Sequence, residues 1–291
     1  MLFLVYINDI ATGVGSPCWL FADDLKILAS DSHVADVQGD LVSLCAWAKS
    51  WDLPFNTHKC QHLALSEPTV PLTLRDDRDE PHKIPHCVAV RDLGVQMSAD
   101  FKPSLQCAAA AAKARRALFQ LKAAIRCKDV DVFVPLYCAF VRPHLEYCIQ
   151  AWAPYLRKDT VILESVQRLA TRLVSGTKGL SYDQRLQICG LFSLERRRLR
   201  GDLLEAYRIT HSQPGDPNCN MLPANTSSVT RGHDFKLAKR RARLDLRKYS
   251  FSLRVVNPWN KLPRKVVTAP SLGVFKEELD RIWEDVFPDL R

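Results

Sequence analysis

A chain of 291 residues that is 47% hydrophobic and 25% charged can bury a core, or two at ~150 residues per domain, and is too apolar for wholesale disorder. It has no run of 18 or more apolar residues, so no transmembrane helix is expected, and Leu2–Ile7 is too short and too soon followed by Asp9 to be a secretion signal. The formal charge of +9 is unevenly spread: residues 1–103 carry 8 basic and 14 acidic side chains, 104–210 carry 18 and 9, and 211–291 carry 15 and 9. An acidic front and a basic remainder suggest a carboxylate-bearing site followed by a polyanion-binding body, although chance imbalance of solvated charges gives the same arithmetic.

The ten cysteines are scattered without a Cys-x-x-Cys pair. They read as reduced, mostly buried thiols of an intracellular protein, nuclear or cytoplasmic, and the Asn225-Thr226-Ser227 sequon is then expected to be unused.

In chain order, Leu2–Ile7 suits a buried helix or strand equally well. Cys18–Ala22 and Leu25–Ala29 are strand-like runs flanking Asp23-Asp24, the pattern of a β-hairpin with two carboxylates at its tip. Asp31 or Ser32 can cap a helix whose apolar face is Val34, Val37, Leu41, Leu44, Ala48 and Trp51. Gln61–Leu65 and Val88–Met97 read as strands, and Glu67–Pro85, rich in proline and charge, as a loop. From Ser104 long helices take over: an Ala-rich one over Cys107–Ala124, an apolar one over Val130–Tyr147 interrupted by Pro135 and Pro143, one capped by Asp159, and Leu194–Ile209. The Asp159 helix carries a core stripe of Ile162, Val166, Leu169 and Leu173, with Arg168 and Arg172 outside it. Residues 212–228 read as a linker, Tyr249, Phe251, Leu253 and Val255 alternate like a strand, and Ser271–Val286 reads as a final helix. The fold class expected is α+β.

Adjacent carboxylates at a hairpin tip repel unless a cation compensates them, and paired Mg²⁺ ions can drive in-line phosphoryl displacement. Asp-Asp is also common in solvated turns, and the four residues Phe21-Ala22-Asp23-Asp24 alone favour that reading. The basic helical stretches are the second constellation. Lys113, Arg115, Arg116, Lys122, Arg126 and Lys128 can track a nucleic-acid backbone, as can Arg196–Arg200 and Lys239–Lys248, where Phe235, Tyr249 and Phe251 are interleaved. Solvated helix faces are the plain alternative. His58, Cys60 and His62 alternate, with His82, His86 and Cys87 nearby in sequence. Strand and loop positions explain that pattern better than a zinc site.

Together these segments resemble the reverse transcriptases of non-LTR (LINE-type) retrotransposons. The run ending in Tyr6-Ile7-Asn8-Asp9-Ile10, followed by Phe21-Ala22-Asp23-Asp24, is similar to the family's palm segment and catalytic hairpin. Leu53–Cys60 is similar to the next motif, in which a lysine follows an asparagine by three, as Lys59 follows Asn56. Arg91-Asp92-Leu93-Gly94-Val95 is similar to the motif after it. Leu136-Tyr137, Val141–Tyr147, Gln167-Arg168 and Asn257–Pro263 extend the likeness to the end of the chain.

The resemblance implies RNA-templated DNA synthesis with dNTPs on an RNA template and DNA primer. Asp23 and Asp24 would be the metal-binding catalytic carboxylates for Mg²⁺, and Lys59 a general acid or neutralising cation at the leaving pyrophosphate. Arg91, Leu93, Gly94 and Val95 would form a primer grip. It implies a partial palm over 1–103, a helical thumb over 104–211, the linker, and a C-terminal extension over 229–291. The family's site also needs an upstream palm aspartate, fingers and a Gln-Gly segment, which would precede Met1. The chain is therefore expected to be a truncated polymerase, inactive alone. A non-catalytic nucleic-acid-binding fragment and a decayed coding remnant are the alternatives.

Overall fold

The computed structural model describes residues 2–30, 33–65, 71–76, 78–213, 216, 220–225 and 233–290. The chain divides into two compact units, Met1–Arg91 with Ser98–Asp100, and Asp92–Met97 with Phe101–Arg291. Helices and short sheets coexist, as expected of an α+β chain.

The first unit begins with helix α1 (Leu2–Ile7), then the antiparallel hairpin of β1 (Cys18–Phe21) and β2 (Asp24–Ile27). Helix α2 (Val34–Ser50) follows, and it buries Val37, Leu41, Leu44 and Ala48 at the spacing the sequence announces. Its proposed caps, Asp31 and Ser32, lie outside the described residues. Ile7, Ile10, Val37, Leu41, Leu44, Leu72 and Leu74 form the core, with Leu20, Leu25 and Ile27 packed against it. Strand β3 (His62–Leu63) pairs in parallel with β6 (His86–Cys87), and β4 (Thr73–Arg75) antiparallel with β5 (Pro81–Lys83). The last hairpin pairs β7 (Ala89–Asp92) with β8 (Val95–Ser98).

Two expectations are corrected in this part of the chain. Glu67–Pro85 is not simply a loop: within its described residues, Thr73–Arg75 and Pro81–Lys83 form a hairpin. Its charge and its proline hid it, because Pro81 sits at the first residue of an edge strand, where no ladder donor is needed. Val88–Met97 is two strands, turning at Leu93 and Gly94, whose φ angles are +42° and +87°. Positive φ at both central positions is the mark of the tight turn that matches strand twist, and glycine takes it without strain.

The second unit is helical. Helix α3 (Ser104–Ala124) buries Cys107, Ala110, Ala111, Ala114, Leu118 and Leu121, its small side chains allowing close approach of α7 (Arg157–Leu173). Between them come α4 (Val130–Phe140), α5 (Pro143–Glu146) and α6 (Ile149–Trp152); α8 (Tyr182–Ile188) and α9 (Leu194–Thr210) follow. Asp159 does not cap α7. It sits inside the first turn, 2% exposed, and accepts a 2.6 Å hydrogen bond from Ser104 Oγ. Side-chain caps do form at Ser181, with Gln184 in a capping box before α8, and at Ser193 before α9.

Within the expected linker, Leu222 is buried and Ala224 bridges Leu237. Eight of the seventeen residues of 212–228, among them Cys219 and two residues of the sequon, lie outside the described residues. The tail forms α10 (Asp245–Lys248), α11 (Phe251–Arg254), α12 (Val256–Asn260), α13 (Arg264–Val267) and α14 (Leu272–Val286). Within 249–255, Phe251–Arg254 is thus helical, flanked by turns, and no strand forms. Phe251 and Val255, four apart, are both buried, so a helical period accounts for the pattern as well as a period of two. Trp259, Phe275, Leu279 and Trp283 fill this second core with Leu203 and Ala206 of α9. The nine described cysteines are free, and no helix among the described residues is long and apolar enough to cross a membrane.

Candidate functional site

The carboxylate hairpin closes in two residues. Phe21 pairs with Asp24, so Ala22 and Asp23 make the turn, with Ala22 at φ +54°. Asp23 is at the tip, while Asp24 opens β2 on the same face as its partner Phe21. That face is open, with Phe21 62% and Trp19 57% exposed, whereas Leu20, Leu25 and Ile27 turn to the core. Both carboxylates are exposed. The approach to β1 is fixed from α2, where Asp40, 7% exposed, accepts the main-chain N–H groups of Gly15 at 2.7 Å and Ser16 at 3.1 Å. Burial raises the Asp40 carboxyl, but the Ser16 side chain together with these main-chain bonds outweighs it and holds it below the usual carboxylate value.

Lys59 is exposed at the end of a 3-10 turn over Thr57–Lys59, its N–H bonded to Asn56 O at 3.0 Å. Among the described residues no hydrogen bond or ion pair joins it to Asp23 or Asp24. A pair of Mg²⁺ ions needs more oxygen donors than this hairpin offers. No third His, Cys, Asp or Glu ligand atom gathers with Asp23 and Asp24 among the described residues, so they do not by themselves fit the two-ion group. The described residues do gather such atoms elsewhere, at Asp76, Glu80 and His82.

In the β7–β8 hairpin, Arg91 is exposed and Leu93 is 40% exposed. Leu93 O accepts from Tyr147 Oη at 2.9 Å, and the Tyr147 ring lies 3.5 Å from where a side chain on Gly94 would begin. Val95 is buried. Tyr147 belongs to the Val141–Tyr147 segment, so two stretches singled out in the sequence meet here.

The cationic stretches fare differently. On α3, Lys113, Arg115, Arg116 and Lys122 are exposed, and so is Arg126 just past its end. Arg115, Arg116 and Lys122 lie four before, three before and three after Phe119, hence around it on one face, and Phe119 is 54% exposed. Arg115 Nη2 donates to Ser165 Oγ of α7 at 2.8 Å, and Arg168 and Arg172 follow Ser165 at three and seven residues, both exposed. Arg168 lies over the Tyr182 ring at 4.0 Å. Exposed cations thus stand on both α3 and α7, which the Arg115–Ser165 bond links, and the α3 group has an exposed aromatic side chain among it.

Arg196–Arg200, by contrast, are engaged internally. Arg196 pairs with Glu284 at 2.5 Å, Arg197 with Glu146, and Arg200 with Asp280 at 2.6 Å, while Arg198 is buried. Their expected role on phosphates is replaced by one of tying α9 to α5 and α14. Tyr137 Oη donates to Gln167 Oε1 at 3.0 Å in the core, and Gln167 Nε2 donates to Tyr182 Oη and Phe192 O, each at 3.0 Å. Asn260 exchanges two hydrogen bonds with the Leu237 main chain. The residues carrying the likeness beyond the hairpins are therefore largely structural. Lys239, Arg240, Arg241, Arg243, Arg247 and Lys248 are exposed.

Phe119 and the His58–His82 contact, whose ring centres are 5.8 Å apart, were not legible as site features. Phe119 carries a signal, an aromatic residue at i+3 and i+4 from two arginines. The imidazole contact depends on long-range packing. Comparison with protein-family models, with curated proteins and with solved structures finds no match in any of the three.

Proposed function

We propose that this chain is a palm-and-thumb portion of an RNA-directed DNA polymerase of the non-LTR retrotransposon type, which holds an RNA template and DNA primer. The observation that carries the reading is the exposed face of α3 and α7. Arg115, Arg116 and Lys122 offer phosphate contacts around a solvent-facing Phe119, and Arg168 and Arg172 add exposed cations on α7. Two further observations support it: Phe21–Asp24 and Asp92–Val95 each form a tight hairpin, the local shape the resemblance implies for the catalytic carboxylates and the primer grip.

In this reading Asp23 and Asp24 contribute to the polymerase site, with Lys59 a cation available to an anionic leaving group. A second reading, a nucleic-acid-binding protein without catalysis, is favoured because no third ligand atom gathers with Asp23 and Asp24 among the described residues. Both expect salt-sensitive binding of an RNA–DNA hybrid. Fluorescence anisotropy with a labelled hybrid tests the shared part, and absence of binding at low salt contradicts both.

A further inference from the structure

Asp76, Glu80 and His82 bring one ligand atom each within 4.8 Å of one another, at the closed end of the β4–β5 hairpin. Register puts His82 opposite Leu74, which is 3% exposed, so its imidazole leans along the inner side of the hairpin and is half-buried. Asp76 Oδ1 accepts the N–H groups of Arg78 at 2.9 Å and Glu80 at 2.8 Å, which fixes the carboxylate and leaves Oδ2 for His82 Nε2 at 2.9 Å. The neighbouring cation Arg75 is drawn to Asp79, at 3.3 Å. A second imidazole arrives from another segment: His58, on the turn before β3, stands edge-to-face to His82. Two imidazoles on one tetrahedral zinc have ring centres on the order of 5 Å apart, so a small side-chain movement brings His58 into the same shell.

We propose that Asp76, Glu80, His82 and His58 form a surface site for a divalent transition ion of the zinc type. The mixed nitrogen and oxygen donors select such an ion over Mg²⁺, which prefers oxygen and keeps its waters. Binding inserts the ion between Asp76 Oδ2 and His82 Nε2. The proton of that hydrogen bond is given up, either to solvent or to His82 Nδ1 by change of tautomer, and the two atoms part by a few tenths of an ångström to reach tetrahedral spacing. The site would clamp the hairpin end to the turn that bears Lys59.

Calorimetric titration of the full chain with Zn²⁺, and absorption titration with Co²⁺, tests this. One ion per chain is expected, with a tetrahedral Co²⁺ spectrum free of thiolate charge-transfer bands and unaffected by excess Mg²⁺. His82→Ala should lower the affinity at least a hundredfold and His58→Ala at least tenfold. Glu80→Gln changes an exposed loop side chain and cannot unfold the chain, and it should weaken binding several-fold. Binding unchanged in Glu80→Gln and His82→Ala, loss instead on His62→Ala, a thiolate band, or no binding at all overturns the assignment.

Discussion

Arg254 and Asp202 form a two-point ion pair in the second unit. Arg254 Nε donates to Asp202 Oδ2 at 2.8 Å and Nη2 to Oδ1 at 2.9 Å, with the side chains 17% and 7% exposed. Burial pushes the Asp202 carboxyl up, and the guanidinium opposes that push. The same Nη2 donates to Gln150 O at 3.0 Å, so one side chain of α11 ties α9 to α6. Removing one partner strands a buried charge. Arg254→Ala is expected to cost about 3–5 kcal/mol in urea unfolding, and Arg254→Met with Asp202→Leu to recover most of it. Equal losses in the single and double variants contradict this.

Asp40 couples α2 to the approach of the carboxylate hairpin through Gly15 and Ser16. Asp40→Ala leaves two donors without their acceptor and is expected to cost about 1.5–3 kcal/mol. The folded carboxyl lies below its ordinary 3.8, so its contribution is complete above that value and lost as pH falls through the folded one. Hydrogen exchange should show faster opening at residues 15–27 in the variant than in the parent. Unchanged protection there contradicts the coupling.

His233 is 4% exposed, edge-on to Trp259, and neither ring nitrogen has a hydrogen-bond partner among the described residues. Burial pushes its imidazole below the ordinary 6.5. Lys236 adds to the shift, and Asp234 and the Trp259 main chain oppose it. Folding therefore favours the neutral ring: the contribution is complete above pH 6.5 and lost as pH falls through the lowered folded value. Melting at pH 7.5 and 5 should show an acid loss in the parent that His233→Phe reduces. A parallel loss in both proteins contradicts this.

The carboxylate hairpin gives a prediction about activity. Asp23 and Asp24 lack a third ligand among the described residues, so the chain as it stands is expected to extend no primer with Mg²⁺ and dNTPs. Steady synthesis that disappears on Asp23→Asn shows the opposite.

The legible parts of the fold were those with a strong local period. Val37, Leu41, Leu44 and Ala48 gave α2, and the runs either side of Asp23-Asp24 gave their hairpin. Where two periods fit the same residues, as at Tyr249–Val255, tertiary packing chose the helix. The fates of the cations were not legible. Lys113–Lys122 and Arg196–Arg200 look alike in sequence, but Arg196, Arg197 and Arg200 have acidic partners 88, 51 and 80 residues away. Phe119 stays exposed beside its cations because the opposite, Ala-rich face of α3 is the one that packs.

The salt dependence of hybrid binding tests the central reading most directly. Anisotropy titrations of a labelled RNA–DNA hybrid should give affinity that falls steeply with salt. Arg115→Ala, Arg116→Ala and Lys122→Ala combined should weaken binding and flatten the log–log slope by about 3 units, roughly one per cation removed. Phe119→Ala should weaken it with the slope unchanged. A triple variant that binds like the parent, with the same slope, contradicts the placement of nucleic acid on α3.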